Sequence, residues 1–95
     1  MTIKELHGEL DMIITSLNAS EFNTVESEVL QRLEDLCVSA KELGLTKGKN
    51  LIENLVNVIK AIQEGKSKAE SGILRLTALE FYVKNLQSGT DTEEL

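Results

Sequence analysis

LEDLCVSAKELG, residues 33–44, is the stretch that decides the fold. Leu33, Leu36, Ala40 and Leu43 recur at steps of three and four, and Gly44 stops the pattern. Residues at that spacing share one face of an α-helix, because each residue turns the chain by about 100°. The charged residues Asp35 and Glu42 fall mostly on the polar side, where water solvates them. A helix with one apolar face must bury it, so this segment predicts partners of the same kind.

The same rhythm lies on both sides. Upstream, Ile3, Leu6, Leu10, Ile13 and Leu17 predict a first helix over about Thr2–Asn18. Thr2 and Glu5 stand three apart, the spacing at which a hydroxyl and a carboxylate cap each other's amides. Gly8 interrupts this helix, at about 1 kcal/mol relative to alanine; close packing would explain it. The second helix starts near Asn23, with Glu26 three residues on, and carries Val25, Val29, Leu33, Leu36, Ala40 and Leu43 to its end near Gly44. A third follows Thr46, carries Leu51, Leu55, Val58, Ile59 and Ile62, and ends at Gly65, which suits a left-handed cap. The fourth begins at Ser67, with Glu70 completing a capping box, and its stripe is Ile73, Leu76, Leu79, Val83 and Leu86.

Links of a few residues between such helices make neighbours antiparallel. The expected fold is all-α: an antiparallel up-down-up-down four-helix bundle over residues 1–88. No segment alternates with period two, so no sheet is expected. Residues 89–95 are polar, acidic and aperiodic, and are expected to be a disordered tail.

Composition limits the function. The 95 residues make one small domain with 16 acidic and 10 basic side chains, a formal charge of −6. Nucleic-acid phosphates call for clustered Lys and Arg, so no nucleic acid is expected as a partner. An anionic membrane surface is disfavoured for the same reason. No apolar run approaches the ~18 residues of a membrane helix. The N-terminus, MTIKELHGEL, has charges among its apolar positions and does not read as a signal peptide. A single cysteine forms no internal disulfide. The expectation is a soluble cytoplasmic protein, complete in itself given its initiating methionine and acidic end.

Few residues offer chemistry. Cys37 lies on the flank of its stripe, and no histidine or basic cluster is near in sequence to lower its pKa. It reads as a half-buried packing residue. His7, the only histidine, is of a residue type that can serve as phosphoryl acceptor or general base. Its surroundings, ELHGEL, supply no partner with a defined role, so it reads as an edge residue. One Cys and one His make no recognisable ligand set, so no metal, cofactor or catalytic site is assigned. Exposed apolar positions are more informative. Leu74, Ala78 and Phe81 point roughly opposite to the Leu76–Val83 stripe, and Val38 lies outward near Glu34. Ile52 and Val56 widen the third helix's apolar face. An exposed aliphatic–aromatic patch marks a partner surface or a self-association face.

With the helices placed, residues 25–87 resemble a histidine-phosphotransfer (HPt) domain. That pattern is a helix bearing histidine, two residues, lysine and glycine, then a Leu-Gly break, a second helix, a glycine-containing turn and a last helix. Leu43-Gly44 matches the break, and LTKGKNLIENLVNVIKAIQEGK matches the rhythm through the turn at Gly65-Lys66. Counting back from Gly44 places Glu34 at the histidine, Cys37 at the lysine and Val38 at the glycine. Glutamate cannot form a phosphoramidate, so the resemblance implies a pseudo-phosphotransfer domain without catalysis. On the helical wheel Glu34 falls about 130° from the stripe centre, facing outward.

The reading is therefore a non-catalytic protein–protein interaction module. Its partner would be a response-regulator receiver domain or a kinase of a phosphorelay. The contact residues would be Glu34, Val38 and Lys41, with Leu74, Ala78 and Phe81 as further candidates. The alternatives are a true phosphotransfer protein using His7, or a structural homo-oligomer joined through Leu74, Ala78 and Phe81. The expected oligomeric state is monomer or weak homodimer.

Overall fold

The computed structural model describes residues 2–20, 22 and 25–87, the last two by backbone only. Asn23, the tail 89–95 and the Leu86 side chain lie outside the described residues. Four helices follow one another: α1 (Ile3–Ser20), α2 (Ser27–Glu42), α3 (Thr46–Gln63) and α4 (Ala69–Gln87). No strand occurs among the described residues, and none of the helices is long and apolar enough to cross a membrane.

The helix ends follow their sequence signals with two exceptions. Thr2 and Glu5 do form the reciprocal box: the Thr2 amide donates to Glu5 Oε1 at 2.8 Å, and the Glu5 amide donates to Thr2 Oγ1 at 3.1 Å. Gly44 has φ +80° and Gly65 has φ +75°. After α2 the Gly44 amide donates to the Lys41 carbonyl and the Leu45 amide to that of Ala40. After α3 the Gly65 and Lys66 amides repeat the pattern onto Ile62 and Ala61. These paired bonds make two Schellman caps, and a residue without Cβ takes the left-handed position in each. The first exception is α2, which begins at Ser27, so Val25 precedes it and Glu26 makes no side-chain cap. The second is α4, which begins at Ala69, leaving Ser67 too far upstream for a box with Glu70.

The helix backbones neighbour one another in a ring, α1 to α2, α2 to α3, α3 to α4 and α4 back to α1. The core at the ring's centre takes part of each stripe read from the sequence: Leu6, Leu10, Ile13 and Leu17 from α1, Leu33, Leu36 and Ala40 from α2, Leu55 and Ile59 from α3, Leu76, Leu79 and Val83 from α4. Ile3, Val25, Val29, Leu43, Leu51, Val58 and Ile62 are half-buried against it. Ile52 and Val56 are also buried, so α3's wide apolar arc packs between two neighbours. Ile14, Leu45, Phe22 and Tyr82 join the core as well.

Ile73 departs from expectation. It stands 49% exposed at the head of its stripe, and the buried residue at that level of α4 is Gly72. The reason is Phe22, whose ring comes down onto Gly72: a Cβ there would lie 3.1 Å from two of its ring carbons and 2.9 Å from Ile62 Cδ1. Phe22 holds a φ of +65°, a conformation costing an L-residue about 1–2 kcal/mol. Burying a large ring outweighs that cost. At Gly8 a Cβ would meet nothing within 4 Å, so close packing does not account for that glycine.

Candidate functional site

Glu34, Val38 and Lys41 stand at i, i+4 and i+7 along α2 and share one exposed face, as the wheel indicates. Val38 is 57% exposed, unusual for a valine at mid-helix. From α3, Glu53, Asn57 and Lys60 repeat the same spacing and are also exposed. The two rows meet across the α2–α3 seam. Lys60 Nζ donates to Glu34 Oε2 at 3.1 Å, and Cys37, Val38, Val56 and Asn57 line a shallow depression of about 220 Å3 between them.

The charges of this face are balanced. Glu34 pairs with Lys60, and Lys49 pairs with Glu53 at 3.5 Å. All four side chains are substantially exposed, so each pair contributes at most about 1 kcal/mol to stability. They hold one another in place while leaving both members reachable.

Cys37 lies at the edge of the depression, half-buried, and its thiol donates to the Lys49 carbonyl at 3.6 Å. Burial pushes the thiol pKa up, and the nearby Glu53 carboxylate adds to the rise. Both effects favour the thiol over the reactive thiolate. His7, half-buried on α1, is not among the residues lining this depression. Among the described residues no group of three His, Cys, Asp or Glu side chains is placed to hold a metal ion. Around this depression the described residues set a valine among paired charges.

The other expected residues lie elsewhere. Leu74, Ala78 and Phe81 are exposed on α4, Leu74 at 69% and Phe81 at 68%. Ala78 and Phe81 flank a separate hollow of about 340 Å3 against α3. The structure thus divides the six sequence-selected contact residues into two faces, one on α2–α3 and one on α3–α4. Glu53, Asn57 and Lys60 are the additions that sequence reading missed. Their i, i+4, i+7 spacing was visible, but nothing in one helix says which polar stripe borders a neighbour's exposed valine. No protein-family model, no curated protein and no solved structure matches this chain.

Proposed function

We propose that this chain is a non-catalytic protein–protein interaction module, built as an antiparallel up-down-up-down bundle of the HPt kind. Its docking face is the α2–α3 seam around Glu34 and Val38. The contacts along the helices support the antiparallel arrangement. Cys37 reaches Lys49 while Val25, well before it, accepts a hydrogen bond from Gln63. Gly48 lies against Tyr82 while Ile62 meets Gly72. In both helix pairs, later residues on one partner meet earlier residues on the other.

The observation that carries the functional reading is Val38. A half-exposed valine ringed by Glu34, Lys41, Lys60 and Glu53 has the layout of an interface: an apolar centre with a polar rim. Covering the remainder of that side chain contributes about 1 kcal/mol, and the rim charges fix register and orientation more than affinity. In the HPt-like alignment Glu34 stands where a phosphoacceptor would be, with a permanent negative charge. The partner is then a receiver domain or kinase of a phosphorelay, which would place the protein in the cytoplasm.

Titration calorimetry with purified receiver domains of the host tests this. The wild-type chain should bind one of them, and Glu34→Arg combined with Val38→Asp should abolish the heat while the helical circular dichroism stays intact. Unchanged affinity in that double variant removes the surface, and binding by none of the receivers or their kinases removes the partner class.

A further inference from the structure

The outer side of α4 carries a second, independent surface. Leu74, Ala78 and Phe81 form a large–small–large row on one face of the helix, and the two large residues are among the most exposed apolar side chains of the described chain. The inner side of the same helix is already occupied by Leu76, Leu79, Tyr82 and Val83. A helix apolar on both sides is suited to burial on both sides.

We infer that this face pairs with the same face of a second copy, α4 running antiparallel to α4 about a twofold axis near Ala78. Three observations single out a copy of this chain as the occupant. The row is nearly self-complementary: reversal about Ala78 puts the two alanines face to face and brings Leu74 of one copy within one residue, about 1.5 Å along the axis, of the level of Phe81 of the other. An isologous interface requires that symmetry. The hollow beside Phe81, floored by Leu51 and Tyr82, lies where the opposing leucine arrives.

The third observation is charge. Two chains of −6 each repel, so they can meet only where acidic groups are scarce. Residues 71–79, SGILRLTAL, contain no acid and one arginine. The reversal also brings Glu70 of one copy toward the end of α4 that carries Lys84, with Lys47 lining the hollow nearby. Opposite charges then flank both ends of a centre whose one charged residue within 71–79 is Arg75.

The contact is small. The 19 residues of α4 span roughly 28 Å, at 1.5 Å each. One helix face of that length buries less than the ~800 Å2 per partner of a standard interface. The dimer is therefore weak and concentration-dependent.

Sedimentation velocity over about 10–500 μM tests the inference in the range expected for weak contacts. The wild-type chain should shift from monomer toward dimer across that range. Phe81→Ser should raise the dissociation constant by about tenfold or more, and Leu74→Lys should do the same; both residues are exposed, so both variants should keep wild-type helicity. Cross-linking tests the geometry in a Cys37→Ser background. Ala78→Cys should oxidise to a covalent dimer, since helices packed 8–10 Å apart bring facing Cα atoms into disulfide range. Leu74→Cys should not, because antiparallel pairing separates the two copies of residue 74 by about 12 Å along the axis. A monomer at every concentration overturns the inference, including one that captures a different protein on this face. So does a dimer indifferent to Phe81→Ser and Leu74→Lys. Cross-linking of Leu74→Cys without Ala78→Cys overturns the antiparallel pairing.

Discussion

Gly48→Ala is the substitution whose outcome depends most directly on the packing of α3 against α4. Gly48 is buried in the first turn of α3. A Cβ there would lie 2.8 Å from Tyr82 Cε2 and Oη and 2.9 Å from Cζ. Carbon atoms in contact normally stand about 3.5–4.0 Å apart, so the ring would have to retreat by about 0.7 Å or more. Tyr82 is only 2% exposed, and its ring has little room to yield. Overpacking of this kind costs about 1–3 kcal/mol. Alanine returns up to about 1 kcal/mol through its better helix propensity. The net expectation is a loss of about 1 kcal/mol. For a domain this size, that lowers Tm by about 4–8 °C. Gly8→Ala is the control, because the added methyl meets nothing within 4 Å. There the propensity gain stands alone, and Tm should rise by a comparable amount. Thermal melts followed at 222 nm, with urea midpoints alongside, compare the two. Adding Tyr82→Leu to Gly48→Ala should show favourable coupling, because the clash is with ring atoms that leucine lacks. If Gly48→Ala proves as stable as Gly8→Ala, the ring is not held against α3 and the packing argument fails.

Two titrating groups give further tests. Glu5 is held below the usual glutamate pKa by the Thr2 amide first and the Thr2 hydroxyl second. A depressed carboxylate stabilises the fold at pH above the unfolded glutamate value, and that contribution is lost as pH falls through the lowered folded value. In Thr2→Ala the Glu5 carboxyl resonance should titrate at higher pH than in the wild type; an unmoved midpoint would mean that the hydroxyl contributes nothing to the shift. For Cys37 the sign is reversed: its raised folded-state pKa favours the fold below the unfolded thiol value, and this advantage is lost as pH rises through the folded value. Iodoacetamide should alkylate the native thiol more slowly than the urea-unfolded one, with its rate rising at higher pH. Coincident rate profiles for native and unfolded chains would contradict the burial of this group.

Much of the architecture was readable because helices announce themselves locally. The stripes of α1, α2 and α3, the Thr2–Glu5 box and the two glycine exits depend on residues within a turn of one another. What escaped depends on distant partners. Ile73 has the right spacing for the core, but Phe22 arrives from another part of the chain and covers α4 at Gly72. Gly48 looks like a surface glycine between two lysines until Tyr82 is placed over it. The α2–α3 face shows the same division. Glu34, Val38 and Lys41 were legible as an outward row, whereas Lys60, Asn57 and Glu53 joined them only once the seam existed. The outward positions of Leu74 and Phe81 followed from their phase relative to Leu76 and Leu79. The hollow beside Phe81 did not, because α3 supplies half of it.

The ring of helices has a kinetic consequence. α2, α3 and α4 follow one another through the compact glycine exits, so their mutual contacts join segments near in sequence and carry a small loop-closure cost. The contact between α1 and α4 joins helices distant in sequence, so its closure carries a larger entropic cost and is expected after the local contacts. Refolding is therefore expected to be fast, as in other helical proteins of low contact order, with α1 docking last. By the same logic the amides of α1 should be the first to lose protection in native-state hydrogen exchange, and those at the centre of α3, which touches both of its sequence neighbours, the last.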